Sequence, residues 1–458
     1  MTTFTSTQNG DWNDDATWGL SDGDYPGNGH TDGTDRAVIN HTVTNNGNHH
    51  IGSITINASK ELNGGGGNIL YIHGDSNATS LENNGSVTNT PRIEFKNTGA
   101  DKNAKFGTGT YGLVEVNCSG RTVTMTSAMT SSNNLTIAAG TLTTSGSNYA
   151  LTVTGYTHVG DGSAAADTST LTLNASTCSF GTGKTDAEAL WIKRGGTLVG
   201  GSGNWTAGSV VGDNHANCKF TLTSGTITVN GHSADDTRPL ILGGTSTHTA
   251  AHGGGTIDIT YASAYNLSNY ATTSLNNLTL TGNTTATITS PSVVMAGNLT
   301  ITASTTLTTG ADKALTVAGT TTVSGTLTCN ASTISLGTGL TSAYGLTVNT
   351  GGTFTGGSGT HTFGGLFVAD HASADCTLTS GNTTINGENS DNYNFTVYDG
   401  STLDNADGTV IFTGPTSTIY LQSSATVQSG EPRLHNVTLN SSGNTLTLGH
   451  NLTVEGAL

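Results

Sequence analysis

Short apolar runs broken by threonine recur along most of the chain: Ile54-Thr-Ile56, Leu171-Thr-Leu173, Ile227-Thr-Val229, Leu278-Thr-Leu280, Leu346-Thr-Val348 and Leu446-Thr-Leu448. A two-residue period rich in β-branched and apolar side chains predicts strands with one buried face. Glycine and asparagine separate the runs every 7 to 12 residues, as turns require. No segment reads as a convincing amphipathic helix. The best candidate, Lys184 to Arg194, also fits a loop leading into a strand.

The strands belong to a long repeat. Asn174 to Gly181 reads NASTCSFG, and 156 residues later Asn330 to Gly337 reads NASTISLG. Gly195 to Gly203 matches Gly351 to Gly359 at that offset, and Thr221-Leu-Thr-Ser-Gly225 matches Thr377-Leu-Thr-Ser-Gly381. Asn134-Leu-Thr-Ile137 pairs with Asn298-Leu-Thr-Ile301 and again with Asn451-Leu-Thr-Val454. Self-similarity of this kind marks solenoids and arrays. The expected organisation is an opening segment over 1–75, solenoid over 76–132, one repeat copy over 133–296, a second over 297–450, and the start of a third over 451–458.

Composition agrees with a thin core. Only 33% of the 458 residues are hydrophobic and 10% are charged. A single large globular core is out of reach, and the regular alternation argues against a disordered low-complexity chain. A parallel β-solenoid needs only a few inward residues per strand, shared between stacked coils. With three short strands per coil, each coil takes roughly 20–26 residues, which gives about 18–22 coils. At ~4.8 Å per coil the rod is on the order of 90–100 Å long.

The formal net charge of −17 excludes a nucleic-acid binder, which needs a basic footprint. No apolar run approaches the ~18–20 residues of a membrane-spanning helix. Met1-Thr-Thr-Phe-Thr-Ser-Thr7 has no positive region followed by an apolar stretch, so no signal peptide is expected.

The five cysteines, Cys118, Cys178, Cys218, Cys329 and Cys376, make a poor disulfide framework. Across the repeat Cys178 takes the place of Ile334 and Cys329 the place of Leu173. Cysteine here behaves as a small buried hydrophobe. The expected core therefore includes Leu173, Cys178, Phe180, Cys329, Ile334 and Leu336. Without a C-x-x-C pair, structural zinc is not expected. His30, His41, His49, His50, His248 and His252 have no metal-helix setting, and His215 and His371, which recur at offset 156, read as turn residues. Calcium has only the Asp/Gly turns to offer it oxygen ligands, at Asp22-Gly-Asp24, Asp32-Gly-Thr-Asp35 and Asp161-Gly162. None fits an EF-hand loop, and turn chemistry alone explains them.

Carboxylates are sparse, and the best strand-borne ones are Glu94, Glu115 and Asp258. Polysaccharide cleavage needs paired carboxylates, or carboxylates with Arg or Lys. Sequence spacing pairs none of the three, so no catalytic residues, no metal site and no cofactor are expected.

Residues 9–75 differ from the rest. They hold Gly10-Asp-Trp12, Asp15-Ala-Thr-Trp18, Pro26-Gly27, Asp35-Arg-Ala-Val38-Ile39, Thr42-Val43 and Ile51-Gly-Ser-Ile54-Thr-Ile56. This order resembles the opening of many bacterial and phage surface β-helix proteins and, distantly, G8-type domains. The coils that follow are similar in composition to repetitive virion proteins of tailed phages. The resemblance implies a right-handed parallel β-helix whose exposed first coil is covered by an N-terminal cap, with Trp12, Trp18 and Pro26 as its parts. It also implies a non-catalytic rod of a virion appendage, a tail-fibre or tailspike shaft, serving spacing and host-surface adhesion. The implied partners are other virion proteins and a host-surface glycan, the implied assembly a homotrimer, and the location the virion. The chain offers no coiled-coil heptads to support the trimer. The alternatives are a bacterial cell-surface adhesin of the same fold and a polysaccharide-degrading tailspike.

Overall fold

The computed structural model describes all residues except 1, 29–33, 76–77, 97–98, 145, 163–167, 214, 216, 235–236, 243–248, 269–274, 370–372, 399, 415–416, 422–432, 441–445 and 449–452. These residues form two compact units, Met1–Ser233 with Leu242–Gly255, and Ala234–Ile241 with Thr256–Leu458. Both are all-β. Among the described residues the one helical turn is a 3-10 turn, Asp15–Trp18. Lys184–Arg194 is a loop that enters the strand Leu190–Ile192.

The second unit shows the architecture most plainly. One coil runs through Leu299–Ile301, Thr306–Thr309 and Ala314–Val317, and the next through Thr321–Val323, Thr326–Thr328 and Ile334–Leu336. Each strand pairs in parallel with its counterpart one coil on: Leu299 with Thr321, Thr306 with Thr326, Leu315 with Ile334. Three parallel sheets result, which is a parallel β-solenoid. The first unit follows the same plan, with Leu135, Thr157, Leu190 and Val210 on successive rungs of one sheet.

Coil length varies more than the sequence suggests. Leu346 pairs with Leu366 after a short coil, whereas Leu366 reaches its partner Phe395 only after a distinctly longer one. The strands themselves, Leu346–Val348, Leu366–Val368 and Phe395–Val397, are equally short, so the additional residues lie in corners. In the long coil, 386–394 forms a corner that Asn389 closes on itself: its Oδ1 accepts from Asp391 N and Tyr393 N at 3.0 and 2.8 Å.

The repeated motifs are one corner seen on successive coils. Asn174 and Asn330 adopt left-handed backbone, φ 48° and 47°, a conformation asparagine tolerates better than most residues. Their carbonyls accept from Ser202 N and Ser358 N of the next coil at 2.7 and 2.8 Å. Gly201 and Gly357 pass so close that a Cβ on either would lie 1.7 Å from the asparagine carbonyl oxygen. One coil further, Thr223 Oγ1 donates to Gly203 O and Thr379 Oγ1 to Gly359 O, each at 2.6 Å. NAST, GGSG and TLTSG thus stack on one another in each copy.

A second asparagine device explains the recurring Asn-Leu-Thr. Asn277 Oδ1 accepts from Asn298 N at 2.9 Å, and Asn298 Oδ1 accepts from Thr320 N at 2.8 Å. Each amide satisfies a corner N–H that no strand partner reaches.

The core is apolar and layered. Leu173, Phe180, Cys329 and Leu336 are fully buried, Ile334 is 1% exposed and Cys178 3%. All five cysteines are buried. Trp205 and His361 occupy the same place in the two copies, both at 1% exposure or less.

Near the N-terminus Trp12 and Trp18 are buried and meet edge to face at 5.3 Å. Trp12 stacks on His49 and donates from Nε1 to the carbonyl of buried Pro26 at 3.0 Å. Trp18 Nε1 donates to Trp12 O at 2.7 Å. Burial, and secondarily the charge of His50, lowers the His49 pKa to about 4.

Candidate functional site

Parallel register turns residues far apart in sequence into one column on the outside of the first unit. His50 pairs with Tyr71, Tyr71 with Glu94, Glu94 with Glu115, Glu115 with Thr136, Thr136 with His158, and His158 with Trp191. Flanking strand residues Leu70, Ile72, Leu190 and Ile192 point into the core, so alternation turns the column outward. Six rung spacings of ~4.8 Å make it about 29 Å long.

Aromatic groups hold both ends. At one end His50 stacks on Tyr71, 4.4 Å between centroids, and its Nδ1 lies 2.9 Å from His73 Nε2, so one imidazole donates and the other accepts. Lys96 Nζ sits over the Tyr71 ring at 4.9 Å. At the other end Tyr156 stacks on His158 at 5.2 Å, and His158 and Trp191 meet edge to face at 5.4 Å. Lys193 Nζ covers Trp191 at 4.4 Å, and Trp191 Nε1 donates to Asp213 Oδ1 at 2.5 Å. Asp213 Oδ2 also accepts from Arg194 N at 2.9 Å, which fixes the carboxylate and thereby the indole. Tyr156 is 37% exposed.

Glu94 and Glu115 occupy the middle. Glu94 is 7% exposed; Lys96 Nζ lies 3.7 Å from its Oε1, which also accepts from Asn117 Nδ2 at 3.3 Å. Burial pushes the Glu115 carboxyl above the usual range, and the neighbouring charge of Glu94 adds to this against the opposing pull of Lys96 and Arg92. Burial and Lys96 lower the pKa of His50, while Glu94 opposes them. Burial and Lys193 lower that of His158 to about 4. The imidazoles of the column are therefore neutral near pH 7, as their stacking on Tyr71 and Tyr156 requires.

Of the strand carboxylates named from the sequence, Glu94 and Glu115 come together. Asp258 lies in the second unit, paired in register with Thr279 and accepting from Thr281 Oγ1 at 2.7 Å. Spacing alone missed the first pair because a whole turn of the solenoid separates the two rungs. The aromatic members were missed for the same reason. Their one local signal is a large polar-tipped ring between two core residues, as in Leu70-Tyr71-Ile72 and Leu190-Trp191-Ile192.

Asp22, Asp24 and Asp35 spend their carboxylates on backbone. Asp22 Oδ1 accepts from Asp24 N at 3.2 Å, and Asp35 accepts from Thr2 N and Gly27 N at 3.4 and 3.2 Å. His215 caps its own turn, its Nδ1 accepting from Asn217 N at 3.1 Å. His30, Asp32, His248, His371 and Asn451 lie outside the described residues. Among the described residues, no group of three or more His, Cys, Asp or Glu side chains could hold a metal ion, and no helix is long and apolar enough to cross a membrane.

The chain matches no protein-family model, no curated protein and no solved structure.

Chemically, the column offers half-buried aromatic rings at both ends and the half-buried Glu115 carboxyl and Thr136 hydroxyl between them. Ring faces carry partial negative charge and attract the weakly positive C–H edges of a sugar. Carboxyl and hydroxyl groups accept and donate to its hydroxyls.

Proposed function

We propose that this chain is a shaft segment of a tailed-phage appendage, a tail fibre or tailspike, that adheres to a host-surface glycan through the column from His50 to Trp191. The fold in this reading is a right-handed β-helix whose N-terminal end is capped by Trp12, Trp18 and Pro26. The observation that carries adhesion is the column itself, with stacking groups at both ends about 29 Å apart along the coil axis. A linear oligosaccharide lying along that axis meets a new side chain at every rung. Stiffness comes from the parallel ladders.

The test is equilibrium binding of purified host-surface polysaccharide to wild type, Tyr71→Ala and Trp191→Ala. Each truncation should weaken binding about tenfold, as expected when a Trp or Tyr anchor worth about 1.4 kcal/mol is lost. Unchanged affinity in both variants would remove the column from the account.

A second reading has a specific observation behind it. Glu94 and Glu115 on adjacent rungs bring two carboxylates together, as polysaccharide hydrolysis requires. Adhesion without cleavage is the better reading because Lys96 and Asn117 already engage the Glu94 carboxylate and little of it reaches solvent.

A further inference from the structure

The second unit carries a separate aromatic surface with different chemistry. Tyr344, Phe367, Tyr398, Tyr420 and Tyr393 form a run of five half-buried rings. Successive centroids are 5.3, 5.4, 6.3 and 5.1 Å apart. Phe367, Thr396 and Tyr420 stand on successive rungs of one sheet. Tyr393 arrives on the corner 386–394 that lengthens this coil. The surface is braced by uncharged groups: Tyr344 Oη and Thr396 Oγ1 are 2.6 Å apart, and Asn389 Nδ2 donates to Tyr344 Oη at 3.0 Å.

The fold does not require these rings. At offset 156 the first unit has Glu188 in place of Tyr344 and Val211 in place of Phe367, on a coil of the same plan. Their presence in one copy alone points to a ligand. Four of the five rings are tyrosines, which join a flat apolar face to a hydroxyl. The bracing donors and acceptors are neutral, and the nearby Asp391 is exposed and disfavours an anion. A stacked, uncharged sugar satisfies all of these features.

We infer that the rings from Tyr344 to Tyr420 form a second, independent binding platform for neutral oligosaccharides. This rests on the adhesive reading and deepens it by naming a sugar class and a second place of contact. It predicts that the full chain binds uncharged hexasaccharides through the second unit.

The experiment uses the full chain with maltohexaose, cellohexaose and chitohexaose, read by saturation-transfer NMR and calorimetry. The variants are Phe367→Val, which installs the residue the first unit carries at this place, and Tyr393→Ala. Binding of at least one hexasaccharide by wild type, weakened about tenfold in each variant, supports the platform. Absence of binding to all three by wild type overturns it, as does equal affinity in Phe367→Val. If Trp191→Ala alone weakens binding, the platform falls and the column in the first unit stands. If Phe367→Val and Tyr393→Ala alone weaken it, the platform stands whatever becomes of the column. Sedimentation is measured in parallel: loss of self-association in Phe367→Val without sugar binding assigns the rings to a second copy of the chain and overturns the proposal.

Discussion

His361 should make the second unit sensitive to mild acid, and replacing it should remove that part of the sensitivity. Its side chain is fully buried, with ring centroids 5.9 Å from Phe354 and 5.8 Å from Phe363. Burial lowers its pKa from 6.5 to about 4, against a weaker opposing effect of the Gly356 backbone. The folded protein therefore holds the neutral ring, while the unfolded chain takes up a proton near pH 6.5. Stability from this source is complete above pH 6.5 and is lost as pH falls towards 4. At about 1.4 kcal/mol per pH unit, the loss relative to neutral pH is about 2 kcal/mol by pH 5 and about 3 kcal/mol by pH 4. The first copy places Trp205 at this position, so an uncharged aromatic ring is compatible with the coil, and His361→Phe is the chosen variant. Urea unfolding of both proteins, followed by circular dichroism at pH 7 and pH 5, isolates the effect. Wild type should lose about 2 kcal/mol more than the variant between the two pH values. Parallel losses would show that His361 is protonated in the folded state or reaches solvent, and would refute the reasoning.

Gly357→Ala should cost more than about 2 kcal/mol, because φ is +69° and the new Cβ would lie 1.7 Å from Asn330 O; Gly339→Ala, at φ +74° with open space around it, should cost only about 1–2 kcal/mol, and equal unfolding midpoints for the two would contradict the corner packing. Cys178, whose thiol burial pushes up to about 12, and Cys329, raised by burial as well, should react with a thiol reagent only after urea is added; rapid labelling of native protein would contradict their place in the core. Trp12→Ala removes a buried ring and its hydrogen bond to Pro26 and should lower the stability of the first unit by about 3–5 kcal/mol, read from the fluorescence-detected unfolding midpoint. Deleting residues 1–60 should expose strand edges and promote aggregation; a truncated chain that stays soluble and melts at the same temperature would remove the cap from the proposal.

The strands and their inward faces were legible because alternation is a local signal. Leu171-Thr-Leu173 and Leu346-Thr-Val348 declare their buried face within a single short run. The exchange of Cys178 with Ile334 likewise marks a core position without any structure. Stacking was legible only as a period: the recurrence shows that NAST, GGSG and TLTSG return in the second copy, but not that they sit above one another. That fact depends on coil lengths, and these differ even between the neighbouring steps from Leu346 to Leu366 and from Leu366 to Phe395. The column from His50 to Trp191 was hidden for the same reason. Each of its members is ordinary in its own strand, and the site exists only once register places His158 beside Trp191 and Glu94 beside Glu115. In a solenoid the core is encoded locally, whereas the surface is assembled by the lengths of the corners.

The most direct test of a non-catalytic, adhesive shaft reads binding and chain length in one measurement. Host-surface polysaccharide is incubated with the full protein and analysed by size-exclusion chromatography with light scattering, alongside Trp191→Ala, Glu94→Gln and Glu115→Gln. The account predicts that wild type co-elutes with the polysaccharide, that Trp191→Ala does so far less, and that the molar mass of the released polysaccharide is unchanged after prolonged incubation. A falling molar mass with new reducing ends, abolished in Glu94→Gln or Glu115→Gln, would contradict it and make the carboxylate pair a catalytic site.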